Sequence, residues 1–426
     1  MTAIHELPLP EIAARIASGA LTAEALTRAF LDRIADRDGE IGAFEFVDPE
    51  LALAQARARD AERPRSALHG VPVAIKDVVD THDMPSLWGD PATYAGRRPT
   101  RDAPIVRALR EAGAVLIGKT VVSRFGFWWP ARTRNPLDLS RTPGSSSSGS
   151  AAAVAARMAP VAVGTQTGGS IIRPAAFCGL AGLKPTHDWI AWRNSRDFAP
   201  SFDVAGLLTR DVADLQTVLH AVTGRDAFDP AAPARARPRI GLYRTADWAA
   251  AQDYVRANFE ACAGRLRQAG FAVGEAELGP AHDRLSDAQH LIVQYETARL
   301  FDWELRDRRD ALDAGVRALL EEGLSIPRAA YNGALDFCAE MRAGFAGEIA
   351  DFDLLMVPGS EGEPPPVTNC GGNAFIRQWM PLHVPDLSLK AGTGPSGLPL
   401  SVQLIGRAGH DADLLAHARA IEAVLS

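Results

Sequence analysis

The residues placed to do chemistry are Ser170, Ser146 and Lys76. Ser170 ends the heptad Gly164-Thr165-Gln166-Thr167-Gly168-Gly169-Ser170, just after the strand-like run Pro160–Val163. Paired glycines let backbone N–H groups turn inward with no Cβ in the way. The N–H groups of Thr167, Gly168, Gly169 and Ser170 could hold an oxyanion, and a serine beside them could be the nucleophile. Lys76 closes the apolar run Val71–Ile75, which reads as a buried strand. Burial drives a lysine amine toward its neutral form, and a neutral amine is a base. Ser146 lies in the small-residue run Thr142–Ser150. A hydroxyl both donates and accepts, so it could relay a proton from Ser170 to Lys76. No histidine is placed to act as base, and the Gly-x-Ser-x-Gly elbow of another hydrolase class is absent. Taken singly, each segment also fits a plainer reading: a strand-to-loop turn with a solvated serine, and a snorkelling surface lysine.

Together the segments resemble the amidase signature family, over about His69–Asp214 and again over Phe375–Gly406. Lys76 stands in a Gly-Val-Pro-Val-x-x-Lys-Asp context and Ser170 in Thr-Gly-Gly-Ser, with Ser146 24 residues before Ser170. The later stretches Gly182-Leu183-Lys184-Pro185-Thr186, Ser201–Gly206 and Gly397–Gly406 match as well. The resemblance implies a catalytic triad of Lys76, Ser146 in a cis peptide, and Ser170. It implies an oxyanion hole at Thr167, Gly168, Gly169 and Ser170, no cofactor and no metal, and a possible homodimer. It also implies an α/β fold, a three-layer α/β/α sandwich on a mixed, mostly parallel central sheet. Residues 1–426 would form one such domain, with 69–214 as core and 239–352 as a more variable, mainly helical part. Four positions depart from the pattern, one of them Arg124, which stands where an acidic residue is common. Gln166 and Ile172 stand where an Asp and an Arg are common, and Ser145 replaces a glycine before the bridging serine. The Gln…Ile-Arg-Pro form points to a variant subgroup.

The elements that must carry these residues follow from periodicity and breakers. Helices are expected over Pro10–Ala35 (broken near Gly19), Leu51–Glu62, Ile105–Ala112, Ser150–Arg157, Val212–Val222 and Ala412–Leu425. Strands are expected at Val71–Ile75, Ala114–Ile117, Val161–Val163, Arg239–Tyr243, Leu354–Pro358 and Leu398–Gly406. Alternating strands and helices favour a layered α/β fold. The octet Gly113–Thr120 satisfies the phosphate-loop pattern Gly-x4-Gly-Lys-Thr, but its four middle residues are apolar, which places a strand inside the pattern and argues against a nucleotide site.

Composition narrows the partners. The chain has 426 residues, 47% hydrophobic, with a net charge of −7 and no basic stripe, which argues against nucleic acid. No apolar run approaches a bilayer span, and Met1–Leu7 lacks a signal-peptide pattern. Four scattered cysteines and no His-Glu-x-x-His or Cys-x-x-Cys spacing predict reduced thiols, no metal site and a cytoplasmic setting. His69 and His187 are expected to be packing residues. Candidate substrate contacts are Trp128, Trp129, Arg132 and Trp379, with Trp189, Trp192, Arg124, Arg134, Asn373 and Arg377 also near the motifs. The expected activity is hydrolysis of a linear carboxamide, urea or carbamate of a small molecule through an acyl-enzyme. The alternatives are a transamidation subunit delivering ammonia to an aminoacyl-tRNA, an esterase with the same triad, and a catalytically silent binding homologue.

Overall fold

The computed structural model describes residues 3–191, 195–231 and 237–426. Eleven strands form one sheet: β1 (Phe44–Phe46), β2 (Pro72–Lys76), β3 (Val115–Thr120), β4 (Val161–Gln166), β5 (Ala181–Lys184), β6 (Val204–Thr209), β7 (Arg239–Leu242), β8 (Ala272–Glu275), β9 (Leu354–Pro358), β10 (Asp386–Thr393) and β11 (Pro399–Ile405). Their spatial order is β1-β3-β2-β4-β6-β5-β10-β11-β9-β7-β8. The sheet is mixed, as expected, but it is not mostly parallel. Neighbours are parallel only in β2/β3, β2/β4, β7/β8 and β7/β9. The other six pairings are antiparallel. The reason is local: β10 and β11 are joined by a tight turn that forces antiparallel pairing, and β6 enters between β4 and β5 running against both.

Helices cover both faces. Ser148–Ala155 and Ile172–Cys178 pack on each other and on the sheet, and Val212–Thr223 and Asp411–Leu425 do the same on the opposite side. The first of these helices shows why the serine-rich run is so small in side chain. Ser148–Val154 are all buried, and a Cβ on Gly149 would lie 2.3 Å from the Ala43 carbonyl and 2.5 Å from the Val121 nitrogen. Small side chains dominate a helix pressed this close to strands, with Val154 the one larger residue. The N-terminal pattern resolves into two helices, Leu9–Ala17 and Ala23–Ile41, the second capped by the Thr22 hydroxyl and closed by Gly42 at φ 66°. β3 runs through the Gly113–Thr120 octet, so its residues pair with strands on both sides. Its Lys119 is buried against Asp77 at 3.5 Å and the Ser86 hydroxyl at 2.5 Å.

Residues between β8 and β9 form the long helices Leu285–Leu300, Ala314–Ser325 and Arg328–Glu348. They build a second apolar cluster with Phe125, Phe127, Phe198 and Phe301, in which the Phe127 and Phe198 rings sit 4.8 Å apart edge to face. This cluster backs one wall of the cleft described next. No helix among the described residues is long and apolar enough to cross a membrane.

Candidate active site

Parallel pairing of β2 with β4 brings the distant motifs together. Ile75 lies opposite Val163, so Lys76 at the end of β2 meets Thr165 near the end of β4. The Lys76 amine is wholly buried and makes three hydrogen bonds: 2.8 Å to Ser146 Oγ, 2.7 Å to Thr165 Oγ1 and 3.3 Å to the Thr165 carbonyl. Burial pushes its pKa well below the ordinary lysine value, opposed in part by the charge of Asp203. A neutral amine has two hydrogens and one lone pair, and the three contacts match that count. The Thr165 carbonyl can only accept, so it takes one hydrogen. If Thr165 Oγ1 takes the other, the lone pair faces the Ser146 hydroxyl.

The Ser145–Ser146 peptide is cis. Its surroundings hold both ends. Arg173 Nη2 donates to the Ser145 carbonyl at 2.6 Å, and the Ser145 hydroxyl lies 3.1 Å from the Trp129 carbonyl. Ser147 is locked to β4, with Thr165 N donating to its hydroxyl at 3.2 Å, and a Cβ on Gly164 would sit 3.1 Å from that hydroxyl. The glycine at 164 is therefore what lets the serine turn lie against the strand.

Residues 167–170 form a turn in which the carbonyls of Thr167, Gly169 and Ser170 are occupied and the N–H groups of Gly168, Gly169 and Ser170 are not. Gln289 Nε2 donates to the Thr167 carbonyl at 2.9 Å, Arg173 N to that of Gly169 at 3.0 Å and Ser147 N to that of Ser170 at 3.3 Å. Among the described residues no backbone carbonyl accepts from the N–H of Gly168, Gly169 or Ser170. In a trans peptide the C=O and N–H point opposite ways. Holding the Thr167 carbonyl out through Gln289 thus turns the Gly168 N–H the other way. Neither glycine has positive φ; each is small because the cleft needs the room. A Cβ on Gly169 would lie 3.3 Å from the Asn373 Cβ, and one on Gly168 3.7 Å from the amide nitrogens of Asn373 and Gln289. Ser170 is half-buried at the edge of this turn. No hydrogen bond joins the Ser146 and Ser170 hydroxyls among the described residues; the two serines are tied through the Ser147–Ser170 backbone bond.

Asp203 takes a place that the sequence motifs do not assign, although its Ser201–Gly206 stretch matches the family pattern. It is buried, accepts from Thr167 Oγ1 at 2.5 Å and from the N–H groups of Phe198 and Ala199 at 2.7 and 3.0 Å. Burial lifts its pKa to about 7 against the pull of those donors. Gln289 escapes sequence reasoning altogether, because a lone glutamine on a long helix carries no motif. The neutral variant positions also have a physical account. Gln166 Oε1 accepts from the N–H groups of Ile171 and Ile172 at 2.8 and 3.1 Å. It satisfies the start of the helix Ile172–Cys178 without a charge, so no basic partner is needed at residue 172.

The turn opens on a narrow cleft of about 40 Å³, partly open to solvent. One wall is apolar, from Trp128, Phe198 and Val293; the other is polar, from Gln289, His290, Asn373 and Arg377, with Arg173 and Gly126 completing the lining. Of Trp128, Trp129, Arg132 and Trp379 only Trp128 faces it, joined by Asn373 and Arg377 from the segment also noted in the sequence. Trp129 turns away, and a Cβ on Gly315 would meet its ring at 2.9 Å. Arg132 is engaged by Glu45 at 2.8 Å and by the Phe44 carbonyl. Trp379 is buried in another cluster beside Tyr243, its Nε1 donating to the Phe375 carbonyl at 2.9 Å. In each case a nearer partner inside the fold claims the side chain. Arg124 is likewise paired with Asp90 at 2.8 Å, and Arg134 donates to the Leu139 carbonyl. Trp189 packs on Phe228; Trp192 lies outside the described residues. His69 Nε2 lies 3.0 Å from the Arg59 carbonyl, and His187 stacks on His383. All four cysteines are free.

The amidase family model matches residues 25–415. The chain belongs to the amidase family. Among its relatives, a glutamyl-tRNA(Gln) amidotransferase subunit from Acidothermus cellulolyticus is 38% identical over 354 residues, which cover 76% of this chain and 69% of that protein. The subunit of the same name from Thermobifida fusca is 44% identical over 239 residues, and this amidase-family chain spans about half of its length, 48%. Among solved structures, a crystal structure of an amidase superposes with a TM-score of 0.90 at 27% identity, covering 99% of this chain and 100% of that one. The native peptide amidase of Stenotrophomonas maltophilia superposes with a TM-score of 0.84 at 31% identity, covering 99% and 97%.

Proposed function

We propose that this amidase-family protein is a serine amidohydrolase that cleaves a linear carboxamide or a related urea or carbamate C–N bond of a small molecule. The observation that carries the reading is the fully buried Lys76 amine bonded to Ser146, directly behind a turn of unoccupied N–H groups that presents Ser170 to a cleft. In this reading Ser170 Oγ attacks the carbonyl carbon. Its proton passes to Ser146, whose own proton passes to Lys76. The oxyanion is held by the N–H groups of the 167–170 turn. The tetrahedral adduct collapses when the leaving nitrogen takes the proton back from Lys76 through Ser146, leaving an acyl ester on Ser170. Water, deprotonated along the same route, then releases the acid and restores the serine.

The test is labelling with a fluorophosphonate followed by peptide mapping, and a panel of aliphatic amides, anilides, ureas and carbamates. The reading expects the adduct on Ser170 and turnover of at least one C–N substrate, both lost in Ser170→Ala. A folded protein that takes no label at Ser170 and turns over nothing on the panel is the silent homologue instead. The similarity to amidotransferase subunits supports a second reading, in which this chain generates ammonia for a transamidation partner. In that case Ser170 labels, but amide turnover by the isolated chain stays near zero until partner subunits are added.

A further inference from the structure

The cleft carries positive charge and no acidic lining. Arg173 and Arg377 both face it, and no Asp or Glu does. The two arginines are not equivalent. Arg173 is 3% exposed and spends its two terminal nitrogens on carbonyls, donating to Ser145 at 2.6 Å, Gly371 at 2.8 Å and Gly372 at 3.2 Å. Its Nε is buried without a hydrogen-bond partner. No carboxylate among the described residues lies within salt-bridge distance of it; Glu361 acts on it only from farther away and already accepts from Ala374 N. Arg377 makes neither an ion pair nor a side-chain hydrogen bond among the described residues, although Asp287 and Asp247 act on it at longer range. His290 lines the same wall, and its pKa is lowered by burial and by the Arg377 charge, so a neutral imidazole stands beside the guanidinium. Asn373 adds an amide. Arg377 thus faces the cleft with its guanidinium donors unspent, and an anionic group on a ligand would engage them directly where Asp287 and Asp247 act only from a distance. A planar carboxylate fits a guanidinium fork bidentately and can accept further bonds from an imidazole and an amide.

We propose that the amide substrate carries a carboxylate, which docks on Arg377 with His290 and Asn373 beside it while the scissile carbonyl lies on the 167–170 turn. This rests on the amidohydrolase reading above and names its substrate class: a small amide with an acid group on the same molecule. The acid would be held on the polar wall, and the carbon chain between the two groups would lie against Trp128, Phe198 and Val293.

Two experiments test it. The first compares kcat/KM for monoamides of three- to six-carbon dicarboxylic acids with that for neutral amides of equal chain length. The acid-bearing series should be favoured by at least tenfold at its best length. Charged hydrogen bonds worth about 1.5–3 kcal/mol set the loss in Arg377→Gln at roughly 10–150-fold for the acids, with a distinctly smaller loss for neutral amides. Arg377→Lys should recover part of the preference. The second uses Ser170→Ala protein, which binds without turnover, and follows thermal unfolding with the same ligands. The acid-bearing amides should raise the unfolding temperature, the neutral ones should not, and the added Arg377→Gln change should erase the difference. Equal handling of acid and neutral ligands in both experiments overturns the charge assignment and leaves the amidohydrolase reading standing. Selective stabilisation of Ser170→Ala by acids, with no turnover in the wild type, supports the carboxylate site and counts against hydrolysis.

Discussion

Replacing Lys76 by methionine separates the chemistry of the amine from the packing of its stem. Methionine keeps the length and apolar character of the side chain and removes only the nitrogen that contacts Ser146 and Thr165. Two opposing effects act on stability. The buried Thr165 and Ser146 hydroxyls each lose a partner, at about 1–3 kcal/mol for a stranded group. Against that, the fold no longer has to keep an amine out of water, the very burial that pushes its pKa down. The net change should stay within about 2 kcal/mol, which for a chain of 426 residues is a shift of roughly 2 °C in unfolding temperature. Activity should fall far more. A positioned general base contributes about 10²–10⁴-fold, or roughly 2.7–5.4 kcal/mol of barrier. The assay is kcat and KM on the best amide of the panel, with circular dichroism to confirm the fold. Ser146→Ala interrupts the same proton path, so the double variant should be no slower than the worse single one. Folded Lys76→Met protein that keeps more than about a tenth of wild-type kcat would refute a lysine base. Fully additive losses would refute a shared path through Ser146.

Other outcomes follow from the same geometry. Protonated Lys76 cannot accept, so kcat/KM should drop as pH falls through its lowered pKa, and Lys76→Arg, charged at every accessible pH, should be inactive across the profile. Asp203 has a folded pKa of about 7 against the ordinary 3.8, so the native state holds a proton that the unfolded chain releases between those values. Its contribution to stability therefore declines as pH rises from about 4 to 7; Asp203→Asn should flatten that part of the curve of unfolding temperature against pH, and an unchanged slope would count against it. Gln289→Leu frees the Thr167 carbonyl, and should lower kcat about tenfold or more with KM nearly unchanged, because a disordered oxyanion donor is felt only in the transition state. Gly149→Ala should destabilise by about 1–3 kcal/mol in denaturant melts despite alanine's better helix propensity, since the added methyl meets backbone atoms that have little freedom to move.

The convergence of Lys76 and Ser146 beside the 167–170 turn was legible in the sequence because these residues sit on short motifs with steep local demands. A lysine that ends an apolar strand, and glycines and serines packed where nothing larger fits, are readable one segment at a time. Most helices and buried strands follow from their periodicity, and Leu354–Pro358 appears with the bounds expected. β10 is absent from the strands expected, although Leu387, Leu389 and Ala391 alternate with Asp386, Ser388 and Lys390; burial of Asp386 and Ser388 along with the apolar face is a tertiary effect that the alternation does not announce. Sheet direction escaped as well, since it depends on which strands meet and not on what each contains. The substrate wall was the least readable part. Arg132 and Trp379 look available in the sequence, yet Glu45 and the Phe375 carbonyl take them, while Gln289 and His290 reach the cleft from a helix more than a hundred positions beyond Ser170. Those assignments are made by tertiary contacts between segments with no local signal.

The two sides of the cleft have separate origins along the polypeptide. The hydroxyls, the amine and the N–H turn are fixed by strands and a helix at the centre of the sheet, where neighbouring backbones leave no room for replacement. The opposite side comes from the helix Leu285–Leu300 and from the stretch around Asn373–Arg377, which lean on the centre through contacts such as Gln289 to Thr167. Substitutions on the helix side should therefore alter the shape of the cleft more than the geometry around Ser170. Gln289 joins the two: it stands on the helix side yet holds the Thr167 carbonyl, so a change that displaces this helix would be felt as a loss of rate.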